Sequence, residues 1–272
     1  MRLEQGYIGM LDGDALSIQN SETLEFDAEA FDPREYLRQY YLSVDLENDH
    51  LLRFFAESHR ETPSYATVLE FGSGPALYSL ITVAAKVETI HVCDRLESNL
   101  QEIQAWGRGD EGAFNWEPFI RRTLELEGIE RITSDDILRR TALLQKKLTH
   151  LYLCDALNSS PLQGKHLESY DIIQTNFVLE AITSSLIEWE RAFQNLLSLL
   201  KPQGTLLLSC VKNAAYYQVQ GKRLPTASID EDAVIRVLIQ ADFKEDNILI
   251  QTIPSNPPYR GYSGILLVKA TH

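Results

Sequence analysis

The sequence predicts an α/β fold: a seven-stranded, mostly parallel sheet with helices on both faces and a C-terminal antiparallel hairpin. Two observations support this prediction. Short, nearly continuous apolar runs alternate with helical patterns, which is typical of a parallel sheet that is covered on both faces. The last two runs are separated only by the Pro- and Gly-containing loop 254–263, which is too short for a crossover helix and therefore predicts antiparallel pairing.

The predicted elements follow one another with few interruptions. Asp32 and Pro33 predict the start of the first helix, because Asp caps a helix N-terminus and Pro fits its first position. The predicted helices lie at 34–43, 46–58, 76–86, 96–106, 134–147, 185–200 and 231–241. The predicted strands lie at 66–71, 89–93, 149–154, 171–175, 204–210, 247–253 and 264–269.

The domain organisation is predicted to be simple. Residues 1–30 are polar and acidic without a sustained period, which indicates an N-terminal extension. Residues 31–272 form one predicted domain, because no linker-like stretch divides them. Within it, 31–60 is an N-terminal helical segment and 107–131 is an insertion between the second and third strands.

Composition excludes several classes of function. The chain has 272 residues, of which 44% are hydrophobic, and a net charge of −14, which argues against binding to nucleic acid or to an anionic membrane. There is no apolar run of the roughly 18 residues that a transmembrane helix needs. The three cysteines are scattered and no His/Cys cluster is present, so reduced thiols, a cytoplasmic location and no metal site are expected.

A glycine turn after the first predicted strand suggests a ligand site. The apolar run ends in Glu70, turns through Gly72 and Gly74, and continues into a helical pattern, while Asp94 closes the next strand. Glycines allow the backbone to approach a ligand, and an acid at this position accepts hydrogen bonds from ribose hydroxyls. Asp155 ends the third strand in the same way and could accept from an adenine amino group, or could simply cap a turn.

The residues around the turn favour a ligand without a phosphate. Leu77 replaces the third glycine of the dinucleotide motif, and Pro75 follows the turn directly. Glu70 would repel a phosphate but suits an ammonium group. A ribose, an ammonium and no phosphate describe S-adenosylmethionine. The alternatives are a nicotinamide-dinucleotide oxidoreductase, which fits the glycines and Asp94 but not Leu77 or Glu70, and a strand-to-helix turn without a ligand.

Several longer motifs resemble a known family, the small-molecule N-methyltransferases that act on nicotinamide, phenylethanolamine and indolethylamines. They begin near residue 31 and extend to the C-terminal part of the chain. The motifs are FDPREYLRQYY (31–41), EFGSGPALY (70–78), GAFNWEPF (112–119), LCDALNSSPL (153–162), NFVLEAI (176–182), LLKPQG (199–204) and YYQVQG (216–221). The resemblance implies a Rossmann-like methyltransferase fold and S-adenosylmethionine as methyl donor.

The resemblance also implies roles for individual residues. Two tyrosines of the N-terminal segment would close over the cofactor as a lid, the glycine turn would approach its methionine end, and the strand-end acids would hold ribose and adenine. The predicted cofactor-binding residues are Tyr36, Tyr41, Glu70, Gly72, Ser73, Gly74, Tyr78, Asp94, Arg95, Asn99, Asp155, Ala156, Asn176 and Phe177. The acceptor would stack between Tyr217 and Phe177, and the region that decides its identity supplies the further predicted contacts Cys210, Asn213 and Thr226.

The predicted function is transfer of a methyl group from S-adenosylmethionine to a small aromatic or heteroaromatic molecule, at nitrogen. Family members that methylate cationic or amide substrates have an acid just after the fifth strand, where this chain has Lys212 and Asn213. We therefore expect a neutral or anionic acceptor. No catalytic base is expected, because an acceptor that is already neutral and nucleophilic needs none. The enzyme is expected to be a monomer. The same fold could instead methylate oxygen, sulfur or carbon, or bind the cofactor without catalysis.

Overall fold

The computed structural model describes residues 31–164, 170–220, 222–255 and 261–272, apart from the side chains of Tyr217 and Gln218. The predicted N-terminal extension therefore lies outside the described residues. The described strands are β1 (Thr67–Phe71), β2 (Thr89–Asp94), β3 (Leu148–Leu153), β4 (Tyr170–Asn176), β5 (Leu200–Lys212), β6 (Tyr217–Val219), β7 (Lys222–Leu224), β8 (Ile248–Pro254) and β9 (Gly264–Thr271). The helices are α1 (Pro33–Tyr40), α2 (Leu46–Ser58), α3 (Tyr78–Val83), α4 (Glu97–Arg108), α5 (Glu117–Leu126), α6 (Ser134–Lys147), α7 (Leu186–Leu197) and α8 (Glu231–Gln240), with 3-10 turns at Leu179–Ala181 and Glu245–Asn247.

The main sheet has seven strands in the order β3-β2-β1-β4-β5-β9-β8. Strands β1 to β5 pair in parallel, whereas β9 is antiparallel to both β5 and β8. This arrangement confirms the predicted fold class. The strand order reverses between β1 and β4, and ligands of open α/β sheets bind at the carboxyl ends of the strands at such a reversal.

Three details differ from the predicted elements. The β6–β7 hairpin was not predicted, because its three-residue strands are too short and too polar to show an apolar run. Helix α3 covers only Tyr78–Val83, since Leu77 before it has a non-helical backbone (φ −124°). Strand β5 begins earlier than predicted, at Leu200, and its pairing with β4 shifts register between Tyr170 and Ile172.

The sheet separates two apolar cores. On one face, Phe55 of α2 and Leu80 of α3 pack with Trp116 and Phe119, which belong to the predicted insertion. On the other face, the core includes Trp189 from α7, together with residues of α8. The 107–131 segment is therefore part of the packed core. Among the described helices, none combines the length and apolar character needed to cross a membrane.

The N-terminal segment is fixed at the start of α1. As predicted, Pro33 occupies the first turn, and the Asp32 carboxylate caps the helix by accepting from the backbone N–H groups of Arg34 (2.8 Å) and Glu35 (3.2 Å). The Gln220 side chain, in the turn of the β6–β7 hairpin, donates to the Asp32 carbonyl at 2.7 Å. The hairpin and α1 therefore meet directly.

Candidate active site

A cavity lies at the carboxyl ends of β1 to β4, with α1 and the β6–β7 hairpin contributing to its wall. The residues predicted to contact the cofactor all line this one cavity: Tyr36, Tyr41, Glu70, Gly72, Ser73, Gly74, Tyr78, Asp94, Arg95, Asn99, Asp155, Ala156, Asn176 and Phe177. The topology explains the convergence, because adjacent parallel strands present their carboxyl ends on the same edge of the sheet.

The glycine turn has a backbone that other residues adopt only with strain. Gly72 and Gly74 have φ values of +69° and +55°. A Cβ atom at Gly72 would lie 2.5 Å from Val178 Cγ1, whereas a Cβ at Gly74 would meet nothing within 4 Å. Gly72 is thus required by close packing, and Gly74 leaves space beside the cavity. The N–H groups of Gly72 and Ser73 both donate to the Cys93 carbonyl, which fixes the turn against β2.

Asp94 ties the end of β2 to the glycine turn. Its Oδ2 accepts from the Gly74 N–H at 2.8 Å, and its Oδ1 accepts from the Leu96 N–H at 2.8 Å and from Asn99 Nδ2 at 2.9 Å. Burial raises the pKa of Asp94 above its ordinary value, and these hydrogen bonds oppose that rise. The carboxylate is 7% exposed and faces the cavity.

Asn99 fits the expected ribose-containing cofactor. It is 4% exposed, and its Oδ1 has no hydrogen-bond partner among the described residues. A buried acceptor without a partner costs about 1–3 kcal/mol unless something donates to it. Because Asn99 also lines the cavity beside Asp94, a ligand hydroxyl could supply the missing hydrogen bond.

Glu70 is a buried carboxylate at the end of β1. Its Oε2 accepts from Ser79 Oγ (2.9 Å) and Gln174 Nε2 (2.8 Å), and its Oε1 accepts from Asn176 Nδ2 (2.8 Å). Burial raises the pKa of Glu70, and the three hydrogen bonds lower it in part. All the described bonds to Glu70 are donated to it, so the site presents an acceptor that would stabilise a ligand cation.

Asp155 and Ala156 form the wall of the cavity beyond β3. Asp155 Oδ1 accepts from the Leu157 N–H at 2.9 Å, so the residue caps a turn and also lines the cavity. Asn195 Nδ2 donates to the Ala156 carbonyl at 2.9 Å and fixes this loop to α7. The two readings of Asp155 that the sequence left open are therefore compatible in the structure.

Aromatic side chains from the N-terminal segment cover the same cavity. Tyr41 stacks on Tyr78, with ring centroids 5.4 Å apart and an interplanar angle of 19°. Tyr36 lies next to Tyr41, at a centroid distance of 6.0 Å. Burial and the nearby Glu70 raise the pKa of Tyr78 well above its ordinary value, so the phenol remains protonated.

Phe177 adopts a strained backbone conformation at the end of β4. Its φ is +58°, a region that bulky residues rarely occupy, and its N–H donates to the Ser209 carbonyl at 2.8 Å. Strain of this kind is concentrated at functional sites, where the surrounding structure maintains it. Here it accompanies a phenyl ring that lines the cavity.

The residues predicted to contact the acceptor are placed differently. Cys210 is 1% exposed and belongs to the core cluster on the α7 and α8 face, and burial raises its thiol pKa well above the ordinary value. Asn213 is exposed, and the Thr226 hydroxyl donates to the Glu180 carbonyl at 2.5 Å. Of these three, none lines the cavity. Tyr217 has its backbone in β6, but its side chain lies outside the described residues.

Other residues of the cavity wall were not singled out from the sequence. Several are apolar and come from the residue before α1, the Leu179–Ala181 turn with its flanking residues, and β7: Phe31, Val178, Ala181, Ile182 and Leu224. The motifs at 31–41 and 176–182 contain four of them, so a signal was present. No sequence signal pointed to Leu224, because the β6–β7 hairpin was not predicted.

Glu180, in the motif at 176–182, is a buried acid next to the apolar part of the cavity wall. It is 1% exposed, its Oε1 accepts from the Val211 N–H at 2.9 Å, and its Oε2 has no partner among the described residues. Burial raises its pKa to about 7.

Comparisons with known proteins identify the family of this chain. The model of the NNMT/PNMT/TEMT family matches residues 21–272, so the similarity begins upstream of the Phe31 motif and reaches into the predicted N-terminal extension. Nicotinamide N-methyltransferase of Sus scrofa is 28% identical over 220 residues, covering 78% of this chain and 82% of that protein. Phenylethanolamine N-methyltransferase of Homo sapiens is 28% identical over 236 residues, covering 83% and 82%. Indolethylamine N-methyltransferase of Oryctolagus cuniculus is 27% identical over 226 residues, covering 80% and 84%.

Solved structures share the fold at low sequence identity. The complex of DhpI with SAM and HEP has a TM-score of 0.53 at 10% identity, covering 87% of this chain and 91% of that chain. The 1,6-didemethyltoxoflavin-N1-methyltransferase of Burkholderia thailandensis has a TM-score of 0.50 at 14% identity, covering 88% and 86%. These similarities support the architecture, and the family match and relatives support the predicted resemblance and cofactor. This chain belongs to the NNMT/PNMT/TEMT family and is an S-adenosylmethionine-dependent methyltransferase.

Proposed function

We propose that this enzyme methylates a nitrogen atom of a small, neutral aromatic or heteroaromatic molecule, and that the cavity described above binds both reactants. The observation that carries the proposal is the uneven distribution of charge along the cavity wall. Among the described residues, three carboxylates line the cavity: Glu70 near the end of β1, Asp94 at the end of β2 and Asp155 just after β3. The lining residues Phe31 and Leu224 are apolar. One end suits a charged nucleoside and the other suits an uncharged ring.

The cofactor is proposed to occupy the end with the carboxylates. Asp94 and Asn99 would accept from the ribose hydroxyls, and Asp155 with Ala156 would face the adenine. Glu70 would stabilise the ammonium group beside the open space at Gly74. When bound, S-adenosylmethionine supplies a methyl group on a positively charged sulfur.

The protein is proposed to act by positioning and by excluding water. Orientation of two reactants in attack geometry can contribute roughly 7–11 kcal/mol to lowering a barrier. Phe177 would fix the acceptor ring from one side, and Tyr36 and Tyr41 of the lid segment (31–60) would cover the reacting groups. An uncharged ring nitrogen needs no general base, so no residue is assigned that role.

An uncharged acceptor is favoured by the apolar residues at its end of the cavity. The Lys212 ammonium, where relatives with cationic substrates were expected to have an acid, pairs with Glu231 Oε1 at 2.6 Å. Glu180 is close in sequence to Phe177 but does not line the cavity. Among the described residues, an ammonium acceptor would therefore find no lining carboxylate except those proposed for the cofactor.

The cofactor part is tested by calorimetry with S-adenosylhomocysteine, for which we expect saturable binding at one site per chain. The acceptor part is tested with labelled methyl donor and matched acceptors, such as substituted pyridines against phenylethylamines. We expect higher kcat/KM for the neutral heteroaromatics. Equal or higher kcat/KM for the amine cations would contradict the acceptor class, and absence of binding would contradict the cofactor site.

We further propose that the enzyme is a monomer of the cytoplasm with a single catalytic domain over 31–272. Its three cysteines are buried free thiols, which suits a reducing compartment. Light scattering after size exclusion would test the oligomeric state, and a stable dimer would contradict it.

A further inference from the structure

A row of buried polar side chains extends from the cofactor cavity into the protein. Glu70 and Gln174 are register partners on the neighbouring strands β1 and β4, and they are 2% and 0% exposed. His59, which follows α2, is 1% exposed and completes the row. Polar groups buried in an apolar core are unfavourable unless each one is hydrogen-bonded, so this row requires a matched set of donors and acceptors.

The hydrogen bonds in the row have one consistent direction. Gln174 Nε2 donates to Glu70 Oε2 at 2.8 Å, because the opposite amide orientation would place its oxygen against a carboxylate. Gln174 Oε1 then lies 2.5 Å from His59 Nε2, which must carry the proton. His59 Nδ1 lies 3.2 Å from Thr62 Oγ1 and can accept from that hydroxyl.

His59 is suited to this role because it remains neutral. Burial lowers the pKa of His59 to about 4, and the positive charges of Lys269 and Lys86 lower it further, against the opposing hydrogen bond to Gln174. A neutral imidazole has only one N–H, and the Gln174 oxygen favours the tautomer that points this N–H at Gln174, while the Thr62 hydroxyl can donate to the other ring nitrogen.

We propose that His59 is a positioning residue for cofactor binding: through Gln174, it orients the Glu70 carboxylate toward the ammonium group of the cofactor's amino-acid portion. This inference rests on the proposed function. Without the His59 N–H, Gln174 Oε1 loses its donor, the amide is free to rotate, and its oxygen can repel Glu70. The adenosine portion, which faces Asp94 and Asp155, does not depend on this row.

A purely structural role makes a different prediction. His59 also packs parallel to the Phe55 ring, with centroids 6.5 Å apart. If packing were its only contribution, His59→Phe would affect every ligand of the cavity equally or not at all. Ligands with and without the ammonium group therefore separate the two roles.

The test compares S-adenosylhomocysteine with 5′-methylthioadenosine, which keeps the nucleoside but lacks the amino-acid portion. For His59→Phe we expect affinity for S-adenosylhomocysteine to fall about tenfold, as for loss of one buried hydrogen bond, while affinity for 5′-methylthioadenosine changes less than about twofold. For His59→Gln, whose side chain restores an N–H donor, we expect affinity for S-adenosylhomocysteine within about threefold of the wild type.

Several outcomes decide the matter. Equal losses for both ligands, or no loss for either, would overturn the role of His59, as would failure of His59→Gln to recover binding. If His59→Phe does not fold, His59→Met provides the second test, since its flexible apolar side chain also lacks an N–H donor for Gln174. An unchanged ratio of the two affinities in His59→Met would also overturn the proposal. Absence of S-adenosylhomocysteine binding by the wild type would contradict the proposed function instead.

Discussion

The two ends of the cavity differ in how they are built. The end with the carboxylates is formed by residues at or just after the carboxyl ends of β1, β2, β3 and β4, and Glu70 and Asp94 are hydrogen-bonded to a neighbouring strand or turn. The apolar end is formed by α1, a 3-10 turn and the β6–β7 hairpin, which meet through contacts between segments far apart in sequence, such as Asp32 with Gln220. The sheet thus positions the proposed cofactor site, while the proposed acceptor site depends on how its covering segments pack.

This contrast predicts that single substitutions affect one end without the other. The largest effect is expected at Asp94, because Asp94→Ala removes both the proposed ribose contact and the acceptor for the Gly74 N–H. We expect affinity for S-adenosylhomocysteine to fall more than about 100-fold, or roughly 3 kcal/mol, by calorimetry.

The matched control is Asp110→Ala, which removes the same charge from an exposed pair with Arg108. It should leave cofactor affinity unchanged. Equal affinities in Asp94→Ala and wild type would remove the distinction between the two ends.

Glu180, a buried acid next to the apolar wall, provides a test by the pH dependence of stability. Its pKa in the folded protein is about 7, above the ordinary 4.5, so the folded state binds more protons than the unfolded state between these pH values. The free energy of unfolding should therefore fall as pH rises through this window and become level above it.

The measurement is urea unfolding of wild type and Glu180→Gln at several pH values. Relative to the variant, which cannot titrate at this position, the wild type should lose about 2–3 kcal/mol between pH 5 and pH 8. Parallel pH profiles for the two proteins would show that Glu180 is not perturbed.

Leu224 tests the apolar end directly. Leu224→Ala removes side-chain surface from the cavity wall, and we expect the acceptor KM to rise about fivefold to tenfold while cofactor affinity stays the same. Leu249→Ala is the control, because Leu249 is 64% exposed on β8, away from the cavity. A change in cofactor affinity without a change in acceptor KM would contradict the assignment of the hairpin.

The smallest effect is expected at Cys210. Because its side chain is in the core and not in the cavity wall, Cys210→Ala should lower the free energy of unfolding by about 1 kcal/mol through lost packing. The acceptor KM should not change. A KM that shifted severalfold at constant stability would return Cys210 to the acceptor site.

The fold and the residues at the carboxylate end of the cavity could both be predicted from the sequence, because both depend on local patterns. Each strand of the seven-stranded sheet contains a short apolar run, and Glu70, Asp94 and Asp155 stand at or just after the ends of such runs. The start of α1 was predictable because Asp32 caps it through neighbouring N–H groups. Parallel pairing then brings the strand ends together without further information.

The acceptor end could not be predicted in the same way. The positive φ of Phe177 results from how β4 ends against β5, and no residue type signals it. The inward direction of Cys210 depends on the register of a strand that is buried on both faces and therefore shows no alternation. The β6–β7 hairpin has too few residues to produce a period, so Leu224 was missed.

The position of β9 has a consequence for biosynthesis. Strand β9 follows β8 in the chain but lies between β5 and β8 in the sheet. Until it is synthesised, the backbone N–H and C=O groups of β5 along Leu206–Leu208 lack their partners on this edge, and β8 has no neighbouring strand among those described. Unpaired apolar edges favour aggregation during folding. A chain that is truncated before β9 would therefore contain nearly all residues of the proposed cofactor site, but its incomplete sheet would be prone to aggregation.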